Sequence, residues 1–263
     1  MTKTEQWSDL AVRMGSGAVM LIVGMAAVAA GGDVFHGFVA IICGVMAWEL
    51  VRMLAPEQSK TALQLGLLAG AASMLAIYLP PTFAFPVLLA PACVGLGQLK
   101  VHRGIYFIFV AAVLLAGYGM MSVRDDLGFI WMLWLALVVV CTDVAGYFAG
   151  RLIGGPRFWP RVSPKKTWSG TMAGWAAAAV LGLVFVLFTK AGLVLVILSA
   201  LVSFASQMGD IAESAIKRKM KVKDSSSLIP GHGGVLDRFD GMLGASVFVL
   251  LVIQFFGLPA GIG

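Results

Sequence analysis

Nine runs of about twenty apolar residues fill most of this chain and leave few folds open to it. They lie at roughly 15–31, 34–54, 61–79, 83–99, 104–122, 127–149, 169–189, 191–209 and 240–257. About 20 such residues, coiled as a helix, cross the hydrocarbon core of a bilayer. The sequence therefore predicts an all-α, polytopic integral membrane protein with about nine transmembrane helices. Pro86 and Pro91 fall inside the fourth run and predict a kink or a partly re-entrant segment there. Composition agrees, with 60% hydrophobic and only 12% charged residues. A soluble domain carries about 25% charged residues, and so few charges could not cover this much apolar surface in water. The 32 glycines suit close helix packing in lipid. Cys43, Cys93 and Cys141 all sit in apolar stretches, with no spacing that suggests a disulfide framework or a zinc site.

The net charge of +6 would suit nucleic acid, but the distribution of the charges gives a better account, and no nucleic-acid partner is expected. With nine spans, 17 of the 19 Lys and Arg residues fall on the side that holds the N-terminus, and only Arg124 and Lys190 on the other. Positive residues stay cytoplasmic, so the N-terminus is expected inside and the C-terminus outside. One span more or fewer would scramble this parity. The first run ends in Ala27-Val28-Ala29-Ala30, which resembles a signal-peptide cleavage site. The long flank before it carries Glu5 and Asp9 beside Lys3 and Arg13, and reads as part of a retained helix.

Two parts differ in their connections. Residues 1–126 hold about five spans with short links. Residues 127–263 hold two long polar loops, near 150–168 and 210–239, and these are where chemistry is expected. Asp143 lies in an apolar helix about two turns before its cytoplasmic end, where a carboxylate must pair, bind a cation or face a wet cavity. Lys165 and Lys166 follow Ser163-Pro164 just before the next helix, where they can neutralise phosphate oxygens. Ser163 or Thr167 is placed to cap that helix. The second loop carries Asp210, Glu213, Ser214, Lys217, Arg218, Lys223 and Asp224, then Pro230-Gly231-His232-Gly233-Gly234-Val235-Leu236-Asp237-Arg238-Phe239-Asp240. Anchoring to anionic lipid explains the basic residues but not the acids. Asp237 and Asp240, three apart, share a face if helical. Acids in a basic loop suggest oxygen ligands for a hard cation; Mg²⁺ uses one or two carboxylates together with water and phosphates. Gly231, Gly233 and Gly234 permit either close backbone approach to a ligand or a tight turn. His232 suits a phosphate contact, a proton transfer or a structural hydrogen bond. Residue chemistry thus points to phosphoryl or nucleotidyl transfer involving a lipid, without naming the substrates.

The spacing Ser214-x-x-Lys217-Arg218, four residues, Lys223-Asp224, five residues, Pro230-x-His232-Gly233-Gly234-x-x-Asp237-Arg238-x-Asp240 resembles the signature of the phosphatidate cytidylyltransferase (CDP-diacylglycerol synthase) family. Thr142-Asp143, Gly146-Tyr147-Phe148-x-Gly150-Arg151 and Ser163-Pro164-Lys165-Lys166-Thr167 are similar to that family too, so the resemblance covers roughly residues 140–245. Ser169 departs from it, standing where bacterial members commonly carry Glu, and puts in doubt any contact that the Glu makes.

The resemblance implies transfer of CMP from CTP to phosphatidic acid with Mg²⁺, a second cation being compatible, by a homodimer in the bacterial cytoplasmic membrane. It implies Asp210 and Asp237 as the cation-binding pair, with Asp240 and Asp143 as further candidate ligands. Lys165, Lys166, Lys217, Arg218 and Arg238 would bind CTP and the lipid phosphate, and Lys223 and Asp224 would shape the nucleotide site. Ser163, Thr167, His232, Gly233 and Gly234 complete the candidate substrate contacts. Two other readings compete: a related CTP-dependent lipid enzyme such as a polyprenol kinase, and a transporter using Asp143 and Glu49 within the membrane. Glu49 can alternatively pair with Arg52 on its own helix face.

Overall fold

The computed structural model describes residues 3–257, with side chains from Arg13 onward. The described residues form nine α-helices: α1 Lys3–Ala30, α2 Gly32–Leu54, α3 Ser59–Ala76, α4 Pro81–Gln98, α5 Arg103–Ser122, α6 Phe129–Leu152, α7 Trp168–Phe188, α8 Val194–Met220 and α9 Leu236–Phe256. Eight of them are long and apolar enough to cross a membrane, and α3 is the other. It spends its first turn on Ser59, Lys60 and Thr61, and then alternates Leu with less apolar Ala and Gly and with Gln64 and Ser73, which lowers its hydropathy. Lys3, Glu5 and Asp9, in the flank of the first span, lie in α1, but their side chains are outside the described residues. Pro86 and Pro91 are accommodated within an uninterrupted α4.

The chain divides into two compact units. One contains the residues up to Met121 together with Met220–Phe239; the other contains Ser122–Lys219 and the residues from Asp240 onward. In the first, α2 and α3 meet backbone to backbone. A Cβ on Gly44 would stand 2.9 Å from the Gly66 carbonyl oxygen, and one on Gly70 3.1 Å from that of Ala40. These are the small residues, four apart, that let helices approach in lipid. The ring of Tyr106 fills the space left by Gly95, and its hydroxyl donates to the Pro91 carbonyl at 3.2 Å, joining α5 to α4.

In the second unit, α6 and α7 make the same kind of contact through Gly146 and Gly170. Helix α8 carries a buried polar seam. Trp134 Nε1 donates to Ser199 Oγ at 3.0 Å, and Thr142 Oγ1 donates to Ser203 Oγ at 2.7 Å. Gly182 gives Ser199 room, and Gly209 and Gly244 bring α8 and α9 into backbone contact.

Both expected loops contain more regular structure than their polarity suggests. Between α6 and α7, strands β1 Arg157–Trp159 and β2 Ser163–Thr167 pair antiparallel, so Lys165 and Lys166 stand on a short hairpin. The region 210–239 is not loop from its start, because α8 continues to Met220. Its polar residues recur at helical spacing: Glu213 pairs with Lys217, and Ser214 Oγ donates to Asp210 Oδ1 at 3.2 Å. Loss of apolarity there marks the end of the membrane-like stretch and not of the helix. Only residues 221–235 lie between α8 and α9.

Candidate active site

In the second unit, the C-terminal half of α6, β2, the start of α7 and the middle of α8 line a cavity of about 420 Å³. Helix α6 contributes Thr142, Asp143, Gly146, Tyr147, Gly150 and Arg151; β2 contributes Lys165, Lys166 and Thr167; α7 contributes Gly170 and Thr171; α8 contributes Gln207 and Asp210. The glycines make the cavity possible. A Cβ on Gly170 would lie 2.5 Å from the Gly146 carbonyl oxygen, and one on Gly150 3.0 Å from Thr167 Oγ1.

Several polar wall residues are positioned by neighbours. Thr167 caps α7, its hydroxyl accepting from Gly170 N–H at 3.2 Å. Of the two caps the sequence allows, Thr167 is the one used. Gln207 is fixed at both ends of its amide: Trp175 Nε1 donates to Oε1 at 3.0 Å, and Nε2 donates to the Thr171 carbonyl at 3.2 Å. Arg151 donates to the Tyr147 hydroxyl at 2.9 Å. Ser169 turns back to donate to the Gly154 carbonyl and shares a 3.0 Å hydrogen bond with Thr167.

The electrostatic centre is Lys166 Nζ, 2.5 Å from Asp210 Oδ2, with both side chains partly open to the cavity. Asp240, half-buried on α9, lies in the field of the Asp210 and Asp143 carboxylates and the Lys217 ammonium. Among the described residues, no group of three or more His, Cys, Asp or Glu side chains is arranged to hold a metal ion. Mg²⁺ does not require such a cage, because it completes its octahedron with water and substrate phosphates. Asp210 already pairs with the Lys166 ammonium, and Asp143 lines the same cavity. The donor set therefore fits a divalent cation held by few protein oxygens.

The structure thus gathers Asp143, Lys165, Lys166, Thr167 and Asp210 around one cavity, with Asp240 in the field of Asp143, Asp210 and Lys217. Ser163 begins β2 without lining the cavity, and Arg218 is exposed on α8. Sequence reasoning missed Gln207. Its signal was an amide within an otherwise apolar run, one turn before Asp210.

The remaining candidates belong to the first unit, in the loop after α8 and the first turn of α9. Asp237 Oδ2 accepts three bonds, each 2.8 Å, from Ser225 N–H, Ser225 Oγ and Gly234 N–H. Glu49, on α2 and completely buried, accepts from Ser225 Oγ, Ser226 Oγ, Val235 N–H and Leu236 N–H. Gly231 and Gly233 have φ of 75° and 83°, and Ile229 pairs with Gly233 across the turn. The space a Cβ would need at Gly233 and Gly234 is taken by Asp237 and by Ser225 and Glu49, so these two glycines admit protein side chains. His232 Nδ1 hydrogen-bonds Ser16 Oγ at 2.8 Å, and Arg238 Nε donates to the His232 carbonyl at 3.1 Å. Lys223 and Asp224 are exposed at the start of the loop.

The profile of the cytidylyltransferase family matches residues 11–256. The chain belongs to the cytidylyltransferase family. Its curated relatives in that family include the phosphatidate cytidylyltransferase of Brucella suis, 43% identical over 156 residues that cover 57% of this chain and 58% of the relative. That of Bacillus subtilis is 36% identical over 135 residues, half of each protein. That of Haemophilus influenzae is 41% identical over 128 residues, 46% of this chain and 44% of the relative. The chain therefore spans about half the length of the curated relatives it matches.

Proposed function

We propose that this chain transfers the CMP group of CTP to phosphatidic acid, giving CDP-diacylglycerol and pyrophosphate. One observation carries the reading: a single cavity combines the cations Arg151, Lys165 and Lys166 with the carboxylates Asp143 and Asp210. That mixture suits a polyphosphate bound together with a divalent cation, and the names of the relatives supply the substrates.

In the reaction, a phosphate oxygen of phosphatidic acid attacks the α-phosphorus of CTP. The new P–O bond forms as the α–β bridging bond breaks, and pyrophosphate leaves with the electron pair. The nucleophile is already ionised, so the chain need not supply a strong base. Its task is to bring two polyanions together and stabilise the charge that moves to the leaving group. Lys165, Lys166 and Arg151 serve that purpose in the cavity, with Lys217, Arg218 and Arg238 as further phosphate contacts. Ser163, Thr167, Lys223, Asp224, His232, Gly233 and Gly234 are assigned to substrate binding directly or through the backbone they order. Asp210, Asp240 and Asp143 would hold Mg²⁺, which supplies charge neutralisation on the transferring and leaving phosphates. A cation contact from Asp237 would use Oδ1, because Oδ2 already accepts three bonds.

We further assign α3 as a ninth span, an N-terminus inside, and a homodimer in the bacterial cytoplasmic membrane; the 17-to-2 partition of Lys and Arg supports the orientation. The reading is tested by incubating detergent-solubilised protein with CTP, phosphatidic acid and Mg²⁺. Equimolar, Mg²⁺-dependent CDP-diacylglycerol and pyrophosphate are expected. Folded protein that forms neither, or that forms a lipid phosphate without attached CMP, overturns it.

A further inference from the structure

We infer that Glu49, on α2 and far in sequence from residues 140–245, is a positioning residue that sets the shape of the loop between α8 and α9. A carboxylate buried to 0% exposure needs partners for its oxygens. Glu49 finds four, and all of them belong to this loop. Oε1 accepts from Ser226 Oγ and from Val235 N–H at 3.0 Å; Oε2 accepts from Leu236 N–H at 2.7 Å and lies 3.3 Å from Ser225 Oγ, whose one proton it shares with Asp237 Oδ2 at 2.8 Å. The serines lie in the first half of the loop and the two amides at its junction with α9, so one side chain ties those two parts together.

The amides also stand at the start of α9, whose first N–H groups have no partner within the helix. Asp237, on α9 itself, makes the matching tie from Gly234 to Ser225. Gly234 provides the room, since a Cβ there would stand 2.5 Å from Glu49 Oε1. The loop carries Lys223, Asp224 and His232, and Arg238 is bonded to the His232 carbonyl. Their placement therefore depends on a carboxylate contributed by α2.

An amide cannot replace this carboxylate. Each Glu49 oxygen serves one backbone N–H, so Gln must turn its NH₂ group against either Val235 or Leu236. The serine hydroxyls can rotate to accept; the backbone N–H groups cannot.

The test is Glu49→Gln in the full chain, read by hydrogen exchange and by steady-state kinetics. The kinetic arm rests on the proposed reaction, whereas the exchange arm needs no substrate. Amides in 225–236 are expected to exchange roughly tenfold faster or more, with those in α6 and α7 unchanged. The kcat/KM for CTP should fall about tenfold or more, mainly through a higher KM for CTP, with the KM for phosphatidic acid nearly unchanged. Loop exchange like that of wild type overturns the inference, and so does an equal rise throughout the chain. Should Glu49→Gln fail to fold, Ser226→Ala removes one donor and leaves the carboxylate. It should raise loop exchange about threefold, and no change there also overturns the inference. A wild-type protein without cytidylyltransferase activity sinks the proposed function and leaves the exchange result to decide the role of Glu49.

Discussion

Replacing Gly170 by Ala tests whether glycine contact between α6 and α7 sets the geometry of the cavity. The new Cβ would stand 2.5 Å from the Gly146 carbonyl oxygen, 3.3 Å from Thr167 Oγ1 and 3.4 Å from the Gly146 carbonyl carbon. The nearest of these atoms is backbone, so no side-chain rotation relieves the clash, and an ordinary contact requires the helices to part by roughly 1 Å. Overpacking of this kind destabilises by about 1–3 kcal/mol. The parting also moves the wall that carries Asp143 and Arg151 away from the wall that carries Lys165 and Lys166. A misplacement near 1 Å can lower turnover about 100-fold. Gly104→Ala is the control, since a Cβ there meets nothing within 4 Å. Both variants would be followed by thermal unfolding in detergent and by CDP-diacylglycerol formation. The expected result is a lower midpoint and a large loss of kcat for Gly170→Ala, with Gly104→Ala near wild type. A Gly170→Ala protein within twofold of wild type in activity, at an unchanged midpoint, would refute the reasoning.

Lys166→Met should reduce turnover about 100-fold or more. Its stability should change by less than about 1 kcal/mol, because the Lys166–Asp210 pair is partly exposed; a large shift of the unfolding midpoint would contradict this. Thr167→Val removes the cap of α7 and the bond to Ser169, and should cost about 1 kcal/mol, measured as a lower midpoint. Chelation of divalent cations should abolish product formation, and added Mg²⁺ should restore it; turnover that survives chelation would remove the cation from the proposed site.

The helices were legible because spans near 20 apolar residues leave a strong signal, and α2, α5, α6 and α9 fall close to the positions read from the sequence. The end of α8 was not legible from hydropathy. Asp210, Glu213, Ser214 and Lys217 look like loop residues until they are read at a spacing of three and four, where they pair along one helix. The hairpin that presents Lys165 and Lys166 is also hidden, since its strands are short and contain Pro164. Asp143, Lys166 and Asp210 stood out as charges beside apolar runs. Glu49 stood out in the same way, but its partners lie more than 170 residues away, and no local spacing reveals such a contact. Its nearest candidate partner in sequence, Arg52, instead lines a cavity of about 360 Å³ beside Ser225–Ser227.

The continuity of α8 has a thermodynamic consequence for the lipid substrate. From Val194 to Gly209 the helix rises about 24 Å, at 1.5 Å per residue. That is somewhat less than the roughly 30 Å thickness of the hydrocarbon core. A helix that starts at one boundary of that core and runs along the membrane normal therefore brings Asp210 to within about 6 Å of the far boundary, at the level of the upper acyl-chain carbons. Extracting a lipid would cost about 0.8 kcal/mol for every CH₂ exposed, which for two long chains exceeds anything a few phosphate contacts could return. Under the proposed reaction, a site at that depth lets the diacylglycerol moiety enter and leave by lateral diffusion, while the soluble nucleotide makes the journey.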